Sequence, residues 1–295
     1  MSGTGRLLAP GDILVAASDI DDTRVDLRNH RGPGRLLHFS RDFSLRGELR
    51  TGVDGLVVGL AIAPDGVIWT ADPTGRAVVR FGVDGRRLEP ISDLPERPWG
   101  SVLCLPDGTV LLAVHSSRGA PPEDRLGDRL LLELRDLRPA RAFRPQSDGG
   151  RSGWHAITSL AAVPDDTRLL HLAEGGRTVG VFDLARSVDL DPFLLFPESD
   201  PRRAYGVAWA GSGALLATGR SVLRLDPEGR ILAEWQAGPP ETGWTRVTPS
   251  ADGETFFLNN FLAGIIERRS LANGRVLAVC DIGRRCVLCG VADVA

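Results

Sequence analysis

Short apolar runs recur along the chain, and each is closed by a polar turn built on Asp, Gly or Pro. The clearest copy is GLAIAPDGVIWTADPTGRAVVRFGVDGR, from Gly59 to Arg86. Residues 59–63 predict a first strand and Pro64-Asp65-Gly66 a hairpin turn. Residues 67–71 and 77–81 predict the second and third strands, and Asp84-Gly85 turns into a fourth. Runs this short, bounded by turn formers and lacking a 3.6-residue period, specify hairpins and not helices.

The same pattern returns as SVLCLPDGTVLLAVH from Ser101 and as SLAAVPDDTRLLHLAE from Ser159, which continues to VGVFDL at Val179. It returns again as GVAWAGSGALLATGRSVLRLDPEGR from Gly206 and as RVTPSADGETFFLNN from Arg246, followed by NGRVLAV at Asn273. The N-terminal part supplies GDILVAASD, GRLLHFSRD and SLRGEL. A four-stranded unit every roughly 40–55 residues is the repeat of a propeller blade. The expectation is one all-β domain over residues 1–295, a six-bladed β-propeller with four antiparallel strands per blade.

Ring closure has two candidates. The end of the chain, CGVADVA from Cys289, matches YGVAWAG at Tyr205 and VGLAIAP at Val58, so it reads as the innermost strand of the blade begun by residues 12–50. The rival innermost strand is residues 5–9. The first is favoured, because pairing the two ends of the ring removes a free sheet edge.

The repeat GLAIAPDG…IWTAD…VVRF…DG resembles the NHL-repeat propellers and the related senescence-marker-protein, gluconolactonase-like and strictosidine-synthase-like propellers. The likeness spans nearly the whole chain. It implies the fold but no single activity, since such propellers host lactonases, other hydrolases, a condensing enzyme and binding scaffolds.

In a propeller, the starts of the innermost strands and the ends of the second strands meet at one mouth of the axial channel. Aligned on the turns, the first set reads Val58, Gly100, Thr158, Tyr205, Thr245 and Cys289. The second reads Ser18–Asp19, Asp72, His115, Glu174, Gly219–Arg220 and Asn259–Asn260. Loops 18–35 and 115–129 are long and belong to the same face, where binding loops sit.

Several chemistries compete there. The resemblance implies a divalent ion such as Ca²⁺ held by acidic and amide side chains, mostly at the innermost-strand starts. Those starts carry no carboxylate here, so the candidate ligands are Asp19, Asp72 and Glu174, with Asn259. The rival reading of such Asp residues is local turn capping. The acidic run Asp19, Asp21, Asp22 and Asp26 lacks the Gly and terminal Glu of an EF-hand, and Arg24, Arg28 and Arg31 answer it as a solvated loop. His115 and His155 are acid/base candidates, since imidazole exchanges protons near neutral pH, and Glu174 joins them. His38 and His171 lie within strands and read as structural. Trp99, Tyr205, Trp244, Asn259, Asn260 and Cys289 are candidate substrate contacts, the aromatics as an apolar collar or as packing between blades. Cys286 and Cys289 form a C-x-x-C without a second pair, which reads as packing more readily than as zinc ligation.

The chain has 35 Arg and no Lys, 38 Asp and Glu, a net charge of -3 and a pI near 6.0. No cationic surplus favours nucleic acid. The first residues lack a signal-peptide pattern, and no run approaches the ~20 apolar residues of a membrane span. The expectation is a cytoplasmic protein with a small-molecule partner. Two functions stand: an enzyme, hydrolase or lactonase or a cyclising or condensing biosynthetic enzyme, and a non-catalytic propeller that binds a ligand or protein.

Overall fold

The computed structural model describes residues 8–21, 23, 31–116, 128–150, 155–164 and 167–294. Asp22, Arg24, Asp26, Arg28, His30 and most of the two long loops lie outside the described residues. Among those described there is no α-helix.

Among the described residues, twenty-three strands build six sheets. The first sheet holds Ile13–Ser18 (β1), Gly32–Phe39 (β2) and Leu45–Gly55 (β3). The second holds Gly59–Ile62 (β4), Ile68–Asp72 (β5) and Ala77–Phe81 (β6). The third holds Trp99–Cys104 (β7), Val110–Val114 (β8), Leu131–Arg135 (β9) and Arg138–Phe143 (β10). The fourth holds Ser159–Ala162 (β11), Arg168–Leu172 (β12), Thr178–Asp183 (β13) and Val188–Leu195 (β14). The fifth holds Gly206–Ala210 (β15), Gly213–Ala217 (β16), Ser221–Leu225 (β17) and Ile231–Gln236 (β18). The sixth holds Trp244–Pro249 (β19), Thr255–Asn260 (β20), Ile265–Ser270 (β21) and Val276–Asp281 (β22). Leu288–Asp293 (β23) returns to the first sheet.

Each sheet is an antiparallel meander. The innermost strands β4, β7, β11, β15, β19 and β23 touch their neighbours in a closed ring, which makes this a six-bladed β-propeller. Five sheets have four strands; in the second, the fourth strand is reduced to a bridge between Phe81 and Arg87.

The Asp-Gly pairs make the tight turns for a local reason. Asp65 accepts the amide of Val67 at 3.0 Å, and Asp107 accepts that of Thr109 at 2.9 Å. The glycine that follows takes a positive φ, 84° at Gly66 and 85° at Gly108, which a side chain would oppose.

The core lies between blades. One cluster joins Trp69 of β5 to Leu111, Leu112 and Val114 of β8 and to Leu169 of β12. The ring closes through the C-terminal strand: β23 pairs with β1 in the register Ile13–Asp293, Leu14–Ala292 and Val15–Val291. Leu288 and Val291 are buried there. Asn259 of β20 donates from its amide nitrogen to the carbonyl of Cys289, and Ser250 donates from its hydroxyl to Asp293. The closing strand is therefore tied to both blades it joins.

Candidate functional site

The mouth formed by the starts of the innermost strands and the ends of the second strands opens on a cavity of about 880 Å³. His115 and Glu174 line it from the ends of second strands; Val58, Tyr205, Thr245 and Cys289 line it from the innermost strands. The glycines beneath these side chains explain how they fit. A Cβ on Gly100 would come within 2.5 Å of the Cβ of His115 and 2.8 Å of its Nδ1, so the imidazole lies directly on that backbone. A Cβ on Gly219 would meet the Tyr205 ring at 2.8 Å.

One residue in this site breaks the pattern of the ring. One position further along each innermost strand stand Gly59, Ser101, Ser159, Gly206, Arg246 and Gly290. The innermost strands converge at this level. Ser101 donates its hydroxyl to the Thr158 carbonyl at 2.8 Å, and Ser159 donates to Val207 at 3.2 Å. A Cβ on Gly206 would stand 2.5 Å from the Thr245 carbonyl. Five blades satisfy this crowding with Gly or with a Ser bonded to its neighbour. The sixth carries Arg246, just after a shift of register between Trp244 and Arg246 that leaves Thr245 out of the ladder. Such bulges re-aim side chains, often beside functional sites.

Arg246 is half-buried and borders both the mouth cavity and a second cavity of about 470 Å³ toward the opposite face. No described carboxylate forms an ion pair with it. Burial lowers its pKa, and the more distant charges of Cys289 and Glu174 oppose that shift. Its own charge acts on His115. Burial first, and then Arg246, push the imidazole down to about 4. His115 is therefore neutral at pH 7. Its Nδ1 is buried without a hydrogen-bond partner, and its side chain lines the cavity.

The candidate metal ligands do not converge. Asp72 accepts the backbone amides of Leu56 at 2.9 Å and Gly75 at 2.7 Å, which is the turn-capping role, and burial raises its pKa. Asp19 faces Arg35, Arg50 and Arg284 at 3.8–4.0 Å. Among the described residues no three His, Cys, Asp or Glu side chains group closely enough to hold a metal ion. The residues present do not fit the divalent ion that the resemblance implies.

Other candidates have structural partners. Trp99 and Trp244 are buried, outside the cavity lining, with their indole N–H groups donating to Pro95 and to Gly238 and Pro240. Of the aromatic collar, only Tyr205 borders the cavity. Asn259 holds the closing strand, and Asn260 donates to Thr242 at 2.8 Å while accepting from Ala263; both are fully buried and neither lines the cavity. His155 is exposed and also outside the lining. The Cys289 thiol is buried and pushed up to about 12, so it is protonated at pH 7 and not a standing nucleophile. Cys286 sits in a turn with φ of 57°, apart from the strand that carries Cys289. His38 donates from Nε2 to the Asp12 carboxylate at 2.8 Å, and His171 is buried, as expected of structural histidines.

Sequence alignment of the blades on their turns would have found Arg246, because it is the single large side chain at a Gly/Ser position. The outer rim adds Arg202, Arg203, Arg220, Glu234 and Phe261. Arg202 is already paired, with Asp200 at 2.7 Å and Glu234 at 3.2 Å.

No family model and no curated protein sequence matches the chain. Solved structures do. The chain has the fold of known six-bladed propellers. A structure of a nidogen/laminin complex matches with a TM-score of 0.66 and 12% identity, over 96% of this chain and 98% of that one. A protein of unknown function from Bacteroides caccae matches with a TM-score of 0.64 and 14% identity, over 97% and 99%. A catalytically inactive virginiamycin B lyase from Staphylococcus aureus, with quinupristin, matches with a TM-score of 0.58 and 14% identity, over 90% and 87%. No helix among the described residues is long and apolar enough to cross a membrane.

Proposed function

We propose that this propeller is an enzyme acting on a small organic molecule that carries an anionic or carbonyl oxygen, bound in the mouth cavity against Arg246. The observation that carries this reading is Arg246 itself: a half-buried guanidinium without an ion-pair partner, at a level of the ring where every other blade has Gly or Ser. A guanidinium offers a planar fork of donors suited to a carboxylate or to a developing oxyanion, and its strength rises where water is excluded. His115 beside it is neutral and so can accept a proton, while Glu174 lines the same space as a second proton-transfer group. The chemistry that fits is hydrolysis or elimination driven by proton transfer, without a step through a metal ion. A lyase among the structural neighbours has the same fold, and its inactive variant replaces a histidine by alanine.

The test is turnover on a panel of small lactones, esters and β-substituted carboxylates, with Arg246→Met and His115→Gln as controls. Each substitution is expected to lower kcat/KM by about 10²–10⁴-fold on the true substrate. Ligand-induced stabilisation without turnover of any panel member would instead support the non-catalytic binding reading. Full activity in both variants would end this assignment.

A further inference from the structure

The second cavity, on the opposite side of Arg246, has walls made mainly of apolar side chains such as Leu60, Ile62, Leu103, Leu160 and Trp209. Most of its polar side chains are bonded within the protein itself. The Ser101 and Ser159 hydroxyls donate to the Thr158 and Val207 carbonyls. Ser250 donates to Asp293, which also accepts the amide of Ala251 at 2.9 Å. The Trp209 indole N–H donates to the Gly211 carbonyl at 3.1 Å. Cys104 is a protonated thiol, pushed up to about 12 by burial. The guanidinium of Arg246 is the one charged group left without a bonded partner among the described lining residues.

A cavity with apolar side chains along its walls and one unpaired cation at one end can take a molecule with the converse plan. We infer that the axial channel is a second binding site, for a linear amphipathic carboxylate whose head meets Arg246 and whose alkyl chain lies toward the opposite mouth. Asp293 does not oppose this. It lies on β23 three residues beyond Gly290, which is level with Arg246, so about 10 Å of strand separates it from the head. Its charge is answered by the Ser250 hydroxyl and the Ala251 amide. The site shares only Arg246 and Val58 with the mouth cavity. It rests on the proposed function only in making Arg246 the anion contact for both, and an alkyl carboxylate would therefore compete with an anionic ligand of the mouth.

Isothermal titration with hexanoate, heptanoate and octanoate tests this. Affinity is expected to rise up to about fourfold per added methylene, as about 0.8 kcal/mol per buried CH₂ requires. 1-Octanol and octylamine should bind at least tenfold more weakly than octanoate. Ala162→Phe fills the second cavity without reaching the mouth, and Ala61→Phe does so from another wall. Either variant that melts like the wild type should lose octanoate at least tenfold while keeping activity or small-anion binding at the mouth. Octanoate affinity unchanged by both plugs, no dependence on chain length, or equal binding of octylamine would overturn the inference and leave the mouth assignment intact. Octanoate binding with the expected pattern, in a protein inactive on every substrate, would support the channel site while the enzyme reading fails.

Discussion

Replacing Arg246 by Met should make the folded protein more stable and its site useless. The guanidinium is half-buried in the channel without an ion pair, and at pH 7 only the more distant Glu174 favours its charge. Desolvating an ion costs several kcal/mol even after relaxation, and replacing buried ionic groups by apolar ones of similar volume often stabilises by 1–4 kcal/mol. Arg246 borders cavities and is not enclosed on all sides, so the lower part of that range applies, about 1–2 kcal/mol. Unfolding entropy near 2.1 cal/mol/K per residue gives this chain of 295 residues about 0.6 kcal/mol per kelvin at its midpoint. The expected gain in Tm is therefore about 2–3 °C. Differential scanning calorimetry at pH 7 reads it directly. A second scan, with an anionic ligand at a hundred times its Kd, should stabilise the wild type by about 2.7 kcal/mol, or roughly 4 °C, and the variant hardly at all. A variant that melts several degrees lower would show that Arg246 supports the fold. Equal ligand shifts in both proteins would show that it does not hold the anion.

Deleting residues 287–295 removes the buried side chains of Val287, Leu288, Val291 and Val294, a loss on the order of 8 kcal/mol and comparable to a whole domain's stability. The truncated chain should fail to melt cooperatively by circular dichroism. His115 titrates at about 4 in the folded state and near 6.5 when unfolded, so the unfolded chain binds the extra proton between those values. Its contribution is fully present above pH 6.5 and is lost as pH falls toward 4; urea midpoints measured from pH 7 to 4 should fall in wild type and less steeply in His115→Gln. The acid limb of activity should likewise lie near pH 4–5 and not near 6.5. Gly100→Ala places a methyl group against the His115 backbone side of the ring and should cost about 1–3 kcal/mol by overpacking, with kcat/KM reduced several-fold more than the thermal shift explains.

The architecture was legible because each blade repeats its own punctuation. Asp65-Gly66 and Asp107-Gly108 turn for the same local reasons, and an alternating apolar strand has one way to bury itself between neighbours. The likeness of Cys289–Ala295 to other innermost strands carried the closure, which the pairing of Val15 with Val291 bears out. The site was legible only in part. His115, Glu174, Tyr205 and Cys289 reach one cavity, whereas Trp99, Trp244, Asn259 and Asn260 occupy neighbouring positions and are enclosed by the protein. The difference lies in bulges. Register shifts after Trp99 and after Trp244 decide whether a side chain at a strand start turns toward the channel or into a seam, and no residue type announces them. Arg246 carries no signal as the first residue of its own repeat; it stands out only against Gly59, Ser101, Ser159, Gly206 and Gly290 at the same position of the other blades.

The pairing of β1 with β23 also sets a timetable for the nascent chain. β1 emerges from the ribosome long before its inner partner, which lies at the other end of the ring of blades. At the usual 5–20 residues per second, the interval is on the order of tens of seconds. Throughout it, one edge of the first blade waits with its amides and carbonyls unmatched. The mouth and the ring thus come into being together, once β23 has been made, and a chain released before β23 carries most of the residues of the site but none of its enclosure.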